Sequence, residues 1–305
     1  MTMPSPSHPR FSTGAFPLAA TLLATAGVFC GVSIPGVDWQ ARAQAQPAAS
    51  SGSYGVEFRH PIPDLIDDLL STERGDPRLE ASIPHSEWYS KGVERRFHGW
   101  GPEPRTYPPL PGLDRRSVDW KRERVIAEAI RFLGYAYQHH HLPDWNPPAS
   151  WPWTHTCAGG NGKGFDCSNF TSFVYNQGFG IHLNSDVGRQ ATLEHALEGN
   201  HGREIRVHRV ELPESYDERI KTLRTGDLVY IRHERDPHVS HVVIWVGPIG
   251  RSPSGVPLVI DSHGGGVNDD DGRPIPCGVQ LRPYRKSSWY NRRASHAHRL
   301  FEERP

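Results

Sequence analysis

The sequence has little that would sustain one large uninterrupted core. Only 36% of its 305 residues are hydrophobic, two are Met, and 28 Pro and 30 Gly interrupt it. Long stretches of such a chain read as loop rather than packed interior. Neither charge is in excess, with Lys+Arg and Asp+Glu at 34 each, so net charge offers no reason to expect nucleic acid or an acidic partner. The apolar run at 15–29, AFPLAATLLATAGVF, is shorter than the roughly 20 residues that span a bilayer. With Arg10 ahead of it and Ala43-Gln44-Ala45 behind it, it reads as a signal peptide over residues 1–45. A retained signal anchor is the alternative. Bulky Phe29 before Cys30 fits a lipoprotein box poorly. Export implies an oxidising compartment and no stable membrane insertion once the signal is cut.

Residues 46–116 are rich in Pro, Gly, Ser and charge and show little periodicity. They read as a linker or pro-region with one short helix, since Ile62, Leu65, Ile66 and Leu69 in 62–72 share a helical spacing. The stretch 101–111, GPEPRTYPPLP, has the composition of an extended linker. There is no internal repeat and no small β-barrel targeting module. From 117 to 305 the pattern changes. Val125, Ile126, Ala129, Ile130 and Leu133 form one face of a helix over 119–133. A second helix is predicted over 168–177, with Phe170, Phe173 and Val174 as its buried stripe and Gly178 and Gly180 at its end. Strand patterns follow at 227–232, 241–246 and 257–262. Helices first and strands later predict an α+β domain, helices packed on an antiparallel sheet.

Cysteine is scarce, and the arithmetic is informative. Beyond Cys30 there remain Cys157, Cys167 and Cys277, an odd number that leaves one free thiol or an intermolecular bridge. Cys167, in 164-GFDCSNFTSFVY-175, falls in the first turn of a predicted helix. Backbone N–H groups and the helix dipole favour a thiolate there and can also receive an oxyanion. A buried structural cysteine is the competing reading. A thiolate nucleophile needs a base, and His241 opens the apolar strand 241-HVVIWVG-247 after the turn of 226-GDLVYI-231. A bridge between Cys157 and Cys277 would leave Cys167 as the free thiol, with both unpaired as the alternative.

Other polar clusters read more simply. Three adjacent imidazoles at His139, His140 and His141 cannot all face one ion from a regular element, so no metal site is expected. Asp269-Asp270-Asp271-Gly272 lacks the alternation and terminal Glu of a calcium loop and reads as a solvated turn. The sequon Asn169-Phe170-Thr171 sits on the predicted helix and reads as accidental. Trp145, Trp151 and Trp153 either line a groove or pack a loop.

Five segments, in order, resemble the NlpC/P60 family: 126-IAEAIRFLGYAYQ-138, 166-DCSNFTSFVY-175, 180-GIHLNSDVGRQ-190, 226-GDLVYI-231 and 240-SHVVIWVG-247. The resemblance implies a papain-like α+β fold and hydrolysis of an amide bond in peptidoglycan peptides, without a cofactor. It implies Cys167 as nucleophile and His241 as its base. The family usually carries a third residue, a His, that orients the imidazole. In 259-VIDSHGG-265 the register puts Asp261 at that place, with His263 two residues on and on the same strand face. Tyr137 matches the family's active-site Tyr, and Asp166, Ser168 and Asp186 match substrate-holding positions. Cell-wall substrate and signal together imply a periplasmic or secreted protein. Departures lie around the implied cleft: Asn169 replaces the family's Gly, Asn184-Ser185 replaces Pro-Arg, and 138-QHHHLPDWNPPASWPW-153 has no counterpart. Two further readings stay open: a wall-binding protein that keeps the fold without turnover, and an acyltransferase using the same Cys–His pair.

Overall fold

The structure is a computed structural model that describes residues 54–71, 81–143, 164–199 and 202–303. Residues 1–45, expected to be a signal peptide, and Trp145, Trp151, Trp153 and Cys157 lie outside those residues. A short strand β1 (Gly55–Val56) is followed by α1 (Ile62–Ser71), a single 3₁₀ turn, α2 (Lys91–Arg96), a second 3₁₀ turn and α3 (Val118–Ile130). Then come α4 (Cys167–Phe179), β2 (Ile181–His182), α5 (Val187–Gln190), β3 (His195–Glu198), β4 (Arg203–Arg206), β5 (His208–Glu211) and α6 (Tyr216–Thr222). The chain continues with β6 (Leu228–Arg232), β7 (Val239–Arg251), β8 (Pro257–His263), β9 (Gly278–Pro283), α7 (Trp289–Arg292) and β10 (Ala294–Arg299). This is the expected α+β arrangement, with helices packed on an antiparallel sheet.

The main sheet runs β5-β10-β6-β7-β8-β9, with β1 added against β7. Among the described residues every strand pairing in it is antiparallel. A second sheet, β2-β3-β4, stands apart. Alternate side chains of a strand face opposite sides, and both sides of the central strands are buried. Leu228, Val242, Ile244, Leu258 and Ile260 pack with Val125, Ile126, Phe170 and Phe173 of α3 and α4. Val229, Val243, Trp245 and Val259 pack instead with Leu223, Tyr284 and Tyr290. Burial on both faces explains why LVYIR, HVVIWV and PLVID are nearly continuous hydrophobic runs.

Two helices carry clear end signals. The Ser117 side chain accepts from Trp120 N to start α3, and the Asp166 carboxylate accepts from Asn169 N to start α4. Gly180 ends α4 in the left-handed region, at φ 73°. A Cβ there would also sit 2.5 Å from the Pro108 carbonyl oxygen. Gly178, expected to share in ending the helix, lies inside it.

Part of the region expected as a linker or pro-region with a short helix packs against the rest of the chain. Ile62, Leu65, Ile66, Leu69, Trp88 and Leu113 belong to the same buried cluster as α3 and α4. The stretch 101–111 runs as an extended strap along α4. Tyr107 N donates to Asn176 Oδ1 at 3.1 Å, Asn176 Nδ2 donates to the Arg105 carbonyl at 2.8 Å, and Leu110 N donates to the Phe179 carbonyl at 3.3 Å. Its prolines deprive it of ladder donors without preventing such docking. Among the described residues no helix is long and apolar enough to cross a membrane.

Candidate active site

Cys167 is the first residue of α4, buried, with a free thiol. Its own N–H and that of Ser168 head the helix, where backbone N–H groups have no intrahelical acceptor. His241, near the start of β7, is also buried. The two side chains are close enough for the charge of the thiol to act on the imidazole. Imidazole Nε2 lies 2.6 Å from Asp261 Oδ2 on β8, which leaves Nδ1 as the nitrogen for the thiol. Burial would lower the pKa of His241. The negative charge of Cys167 and the hydrogen bond to Asp261 outweigh it and raise the value to about 9. Burial likewise favours a protonated Asp261, but the Arg282 charge and the imidazole contact overcome it and hold the carboxyl well below the ordinary carboxylate range. An ionised Asp261 accepts, so Nε2 carries the proton in this arrangement.

Asp261 has two more partners. Arg282 Nη1, on β9, donates to its Oδ1 at 2.5 Å, and the Tyr290 hydroxyl, on α7, donates to its Oδ2 at 2.9 Å. His263 sits on the same side of β8, as its spacing requires. Its ring centre is 5.0 Å from that of His241 at 88°, edge to face. Its Nδ1 accepts from Gly265 N at 3.0 Å, and burial lowers its pKa to about 4. The group in hydrogen-bonding contact with the His241 imidazole on the side away from Cys167 is therefore Asp261.

The other expected residues surround the thiol in different ways. Tyr137 is half-buried and pairs by a single bridge with Phe165, two residues before Cys167. Burial, with the nearby Cys167 and Asp166 charges, pushes its hydroxyl up to about 12. Asp166 caps α4 and accepts from Asn169 N, Asn169 Nδ2 and the Ser168 hydroxyl. Asn169, which stands where the family has Gly, thus makes the helix cap bidentate and is buried. The Ser168 hydroxyl also donates to the Ser185 carbonyl at 2.6 Å. Asp186 is exposed and caps α5 by accepting from Arg189 N. An open cleft of about 620 Å³ is lined by Asp186, Gly188, Val239 and Ser240, with His296 on it, while neither Cys167 nor His241 lines it.

Sequence reasoning missed several supports. Gln190 is buried and ties α4 to the loop before α5. Its Nε2 donates to the Ser172 hydroxyl and the Asn184 carbonyl, and its Oε1 accepts from Thr171 and Tyr230 hydroxyls. Arg282 and Tyr290 carried no signal beyond a charged residue in the alternation of 278-GVQLRP-283. The three adjacent histidines diverge: His139 approaches Asp166 at 3.6 Å, His140 is buried beside the Leu142 carbonyl, and His141 faces the Gly101 carbonyl. The acidic turn is closed by its own chain, with Asp269 Oδ1 accepting from Asp271 N and Arg273 N. Cys277 is exposed and its thiol donates to the Gly264 carbonyl at 3.0 Å. Its expected partner, Cys157, is outside the described residues.

A cysteine at a helix start, facing a histidine on an antiparallel sheet backed by a carboxylate, defines a papain-like arrangement. Residues 153–294 match the sequence model of the NlpC/P60 family, and the chain carries an NlpC/P60 domain there. Proteins of this family are generally cell-wall peptidases or amidases. Among solved structures the chain is similar to an NlpC/P60 family protein from Bacillus cereus ATCC 10987, at 20% identity and TM-score 0.33, covering 61% of this chain and 41% of that one. It is also similar to NlpC1 from Trichomonas vaginalis, at 16% identity and TM-score 0.34, covering 60% of this chain and 45% of that one. The matched region thus spans less than half of either protein. No curated protein sequence matches this chain.

Proposed function

We propose that this protein is an exported cysteine hydrolase that cleaves an amide bond in peptidoglycan peptides. The observation that carries the reading is the buried group of Cys167, His241 and Asp261, with His241 Nε2 held 2.6 Å from Asp261 Oδ2 and Cys167 at the head of α4 within electrostatic reach of the imidazole. In this reading Cys167 attacks the scissile carbonyl as a thiolate, with the proton held on His241 Nδ1. The oxyanion that forms is met by the N–H groups at the start of α4. The imidazolium then gives its proton to the leaving amine, the C–N bond breaks, and an acyl-enzyme thioester remains. Water, deprotonated by the now neutral imidazole, hydrolyses the thioester and regenerates the thiolate–imidazolium pair.

The histidine value of about 9 suits this sequence, because it keeps the imidazole protonated at neutral pH. A non-catalytic wall-binding role would have no use for a buried carboxylate aligned on that imidazole. Tyr137, beside the thiol, and Asp186, on the open cleft, are the residues proposed to meet substrate. Asp166 and Ser168 act more indirectly, through the cap and the Ser185 loop. The export step, to the periplasm or beyond, is proposed from the apolar run and the Ala-Gln-Ala site near the start of the sequence. Digestion of purified peptidoglycan, with products read by mass spectrometry, tests the activity and names the bond. Release of a single class of new amine and carboxyl ends is expected. No release from any peptidoglycan chemotype would overturn the hydrolase reading.

A further inference from the structure

We infer that Arg282 and Tyr290 are positioning residues that keep Asp261 ionised and turned toward His241. The inference rests on the hydrolase reading above and adds to it a second tier of residues behind the imidazole. Asp261 is fully buried, and a lone carboxylate there would favour the protonated form. Its two oxygens are divided between fixed partners. Oδ1 takes Arg282 Nη1 at 2.5 Å, while Oδ2 takes Tyr290 Oη at 2.9 Å and His241 Nε2 at 2.6 Å. The carboxylate plane is therefore set by two elements, β9 and α7, that do not carry His241.

Arg282 is itself locked. It is completely buried, and its guanidinium donates to the carbonyls of Asp261, Pro276 and Gly278 at 3.1, 2.9 and 3.1 Å. A cation with this many backbone acceptors keeps its charge and its place. Charge balance makes it necessary. Thiolate and imidazolium cancel each other, so Asp261 alone would leave one uncompensated buried negative charge, and Arg282 neutralises it. The groups facing Asp261 are His241 on β7, His263 on its own strand, Arg282 on β9 and Tyr290 on α7, with Cys167 on α4 reaching Tyr290 electrostatically. Arg282 is the only permanent cation among them. Its loss leaves a carboxyl that takes up a proton at higher pH than before, and a neutral Asp261 no longer supports the imidazolium. Loss of the cation also disfavours the thiolate directly, so both effects act in one direction.

The test compares wild type with Arg282→Met, Tyr290→Phe, and Arg282→Met combined with Asp261→Asn. Two readouts are taken across pH: peptidoglycan hydrolysis, and the rate at which iodoacetamide alkylates Cys167, measured on its own peptide by mass spectrometry. For Arg282→Met, kcat at neutral pH should fall roughly tenfold or more with KM little changed. The acid limb of both profiles should move up by about one pH unit or more, so that raising the pH restores part of the loss. Tyr290→Phe should show a smaller shift of the same sign. The double variant should show no recovery at high pH, because Asp261 is then absent. A loss in Arg282→Met that is the same at every pH marks a merely structural role and overturns the inference. If Arg282→Met does not fold, Tyr290→Phe decides, and unchanged limbs in that variant overturn it. Wild type that neither hydrolyses peptidoglycan nor alkylates faster at Cys167 than at Cys277 refutes the parent reading instead.

Discussion

Replacing Asp261 by Asn is the sharpest perturbation of the site, because it changes one charge and almost no volume. Asn presents one carbonyl oxygen and one amide nitrogen where Asp261 presents two acceptors. Arg282, buried and unable to turn away, requires the oxygen on its side. The amide nitrogen then faces Tyr290 Oη and His241 Nε2. An N–H pointing at Nε2 forces that nitrogen to accept, which moves the ring proton to Nδ1 and turns an N–H toward Cys167. The imidazole can then no longer take the thiol proton. Loss of a charge-assisted hydrogen bond alone costs about 1.5–3 kcal/mol, roughly ten- to a hundredfold in rate. Reversal of the tautomer raises the expected loss in kcat to about ten-thousandfold, the size found for the same swap in a Ser-His-Asp triad. The assay is hydrolysis of purified peptidoglycan at saturating substrate, with circular dichroism and thermal melting to verify the fold. A folded variant whose kcat stays within about threefold of wild type would refute the tautomer argument and with it the assignment of Asp261 as orienting group.

Further outcomes follow from the same geometry. Cys167→Ala should abolish hydrolysis while leaving the thermal melt within about 1 kcal/mol of wild type, and retained turnover would exclude a thiol mechanism. His263→Ala should lower activity far less than Asp261→Ala, since His263 touches the His241 ring only edge to face; equal losses would argue for a shared orienting role. Buried His296 and His298 have pKa values lowered, chiefly by burial, to about 4 and about 3. Their stabilising contribution is therefore complete above the unfolded value near 6.5 and is lost as pH falls from there through 4 and 3. Melting temperature should decline across that window, and more weakly in His298→Gln. A fragment beginning at Ser117 should fail to unfold cooperatively. It lacks Ile62, Leu65, Ile66, Leu69 and Trp88 from the main core, about 10 kcal/mol at roughly 2 kcal/mol each, which rivals the whole stability of a domain.

The parts of the site that the sequence made legible are those set by local rules. A cap residue followed by Cys167 and an apolar stripe identifies a helix start, and His241 ahead of an apolar run identifies a strand. Asp261 and His263 share a face because strand side chains alternate, and no strand periodicity ranks one above the other. Contacts did that, through the separation between β7 and β8. Arg282 and Tyr290 were invisible because their significance depends on β9 and α7 arriving behind Asp261. Neither segment has a strong pattern: β9 alternates apolar residues with Gln280 and Arg282, all buried, and α7 is only Trp289–Arg292. The strands β3, β4, β5 and β10 escaped for a related reason. Their alternation is diluted by His, Arg and Glu, as in His208–Glu211 and Ala294–Arg299, so composition pointed to loop.

The segment before Ser117 shows the limit of composition most clearly. Low apolar content argues against an independent core, and that inference is sound as far as it goes. It does not follow that the segment is free, because a chain with few apolar residues can still complete the core of its neighbour. The charged face of α3 is buried rather than solvated. Arg124 donates to the Asp68 carboxylate at 2.7 and 2.9 Å and is buried, as is Arg131, which reaches the Leu69 carbonyl at 3.2 Å. Glu123, also buried, accepts from Arg59 N and His60 N at 3.0 Å. An amphipathic helix whose polar face contains Glu123, Arg124, Glu128 and Arg131 reads as solvent-exposed on that side. Buried charges need partners; Glu123, Arg124 and Arg131 find them in residues 59–69, and Glu128 accepts from Arg131. The α3 polar face is thus a docking surface for the preceding segment, and the segment's own helix periodicity at Ile62, Leu65, Ile66 and Leu69 is the complementary half of that contact.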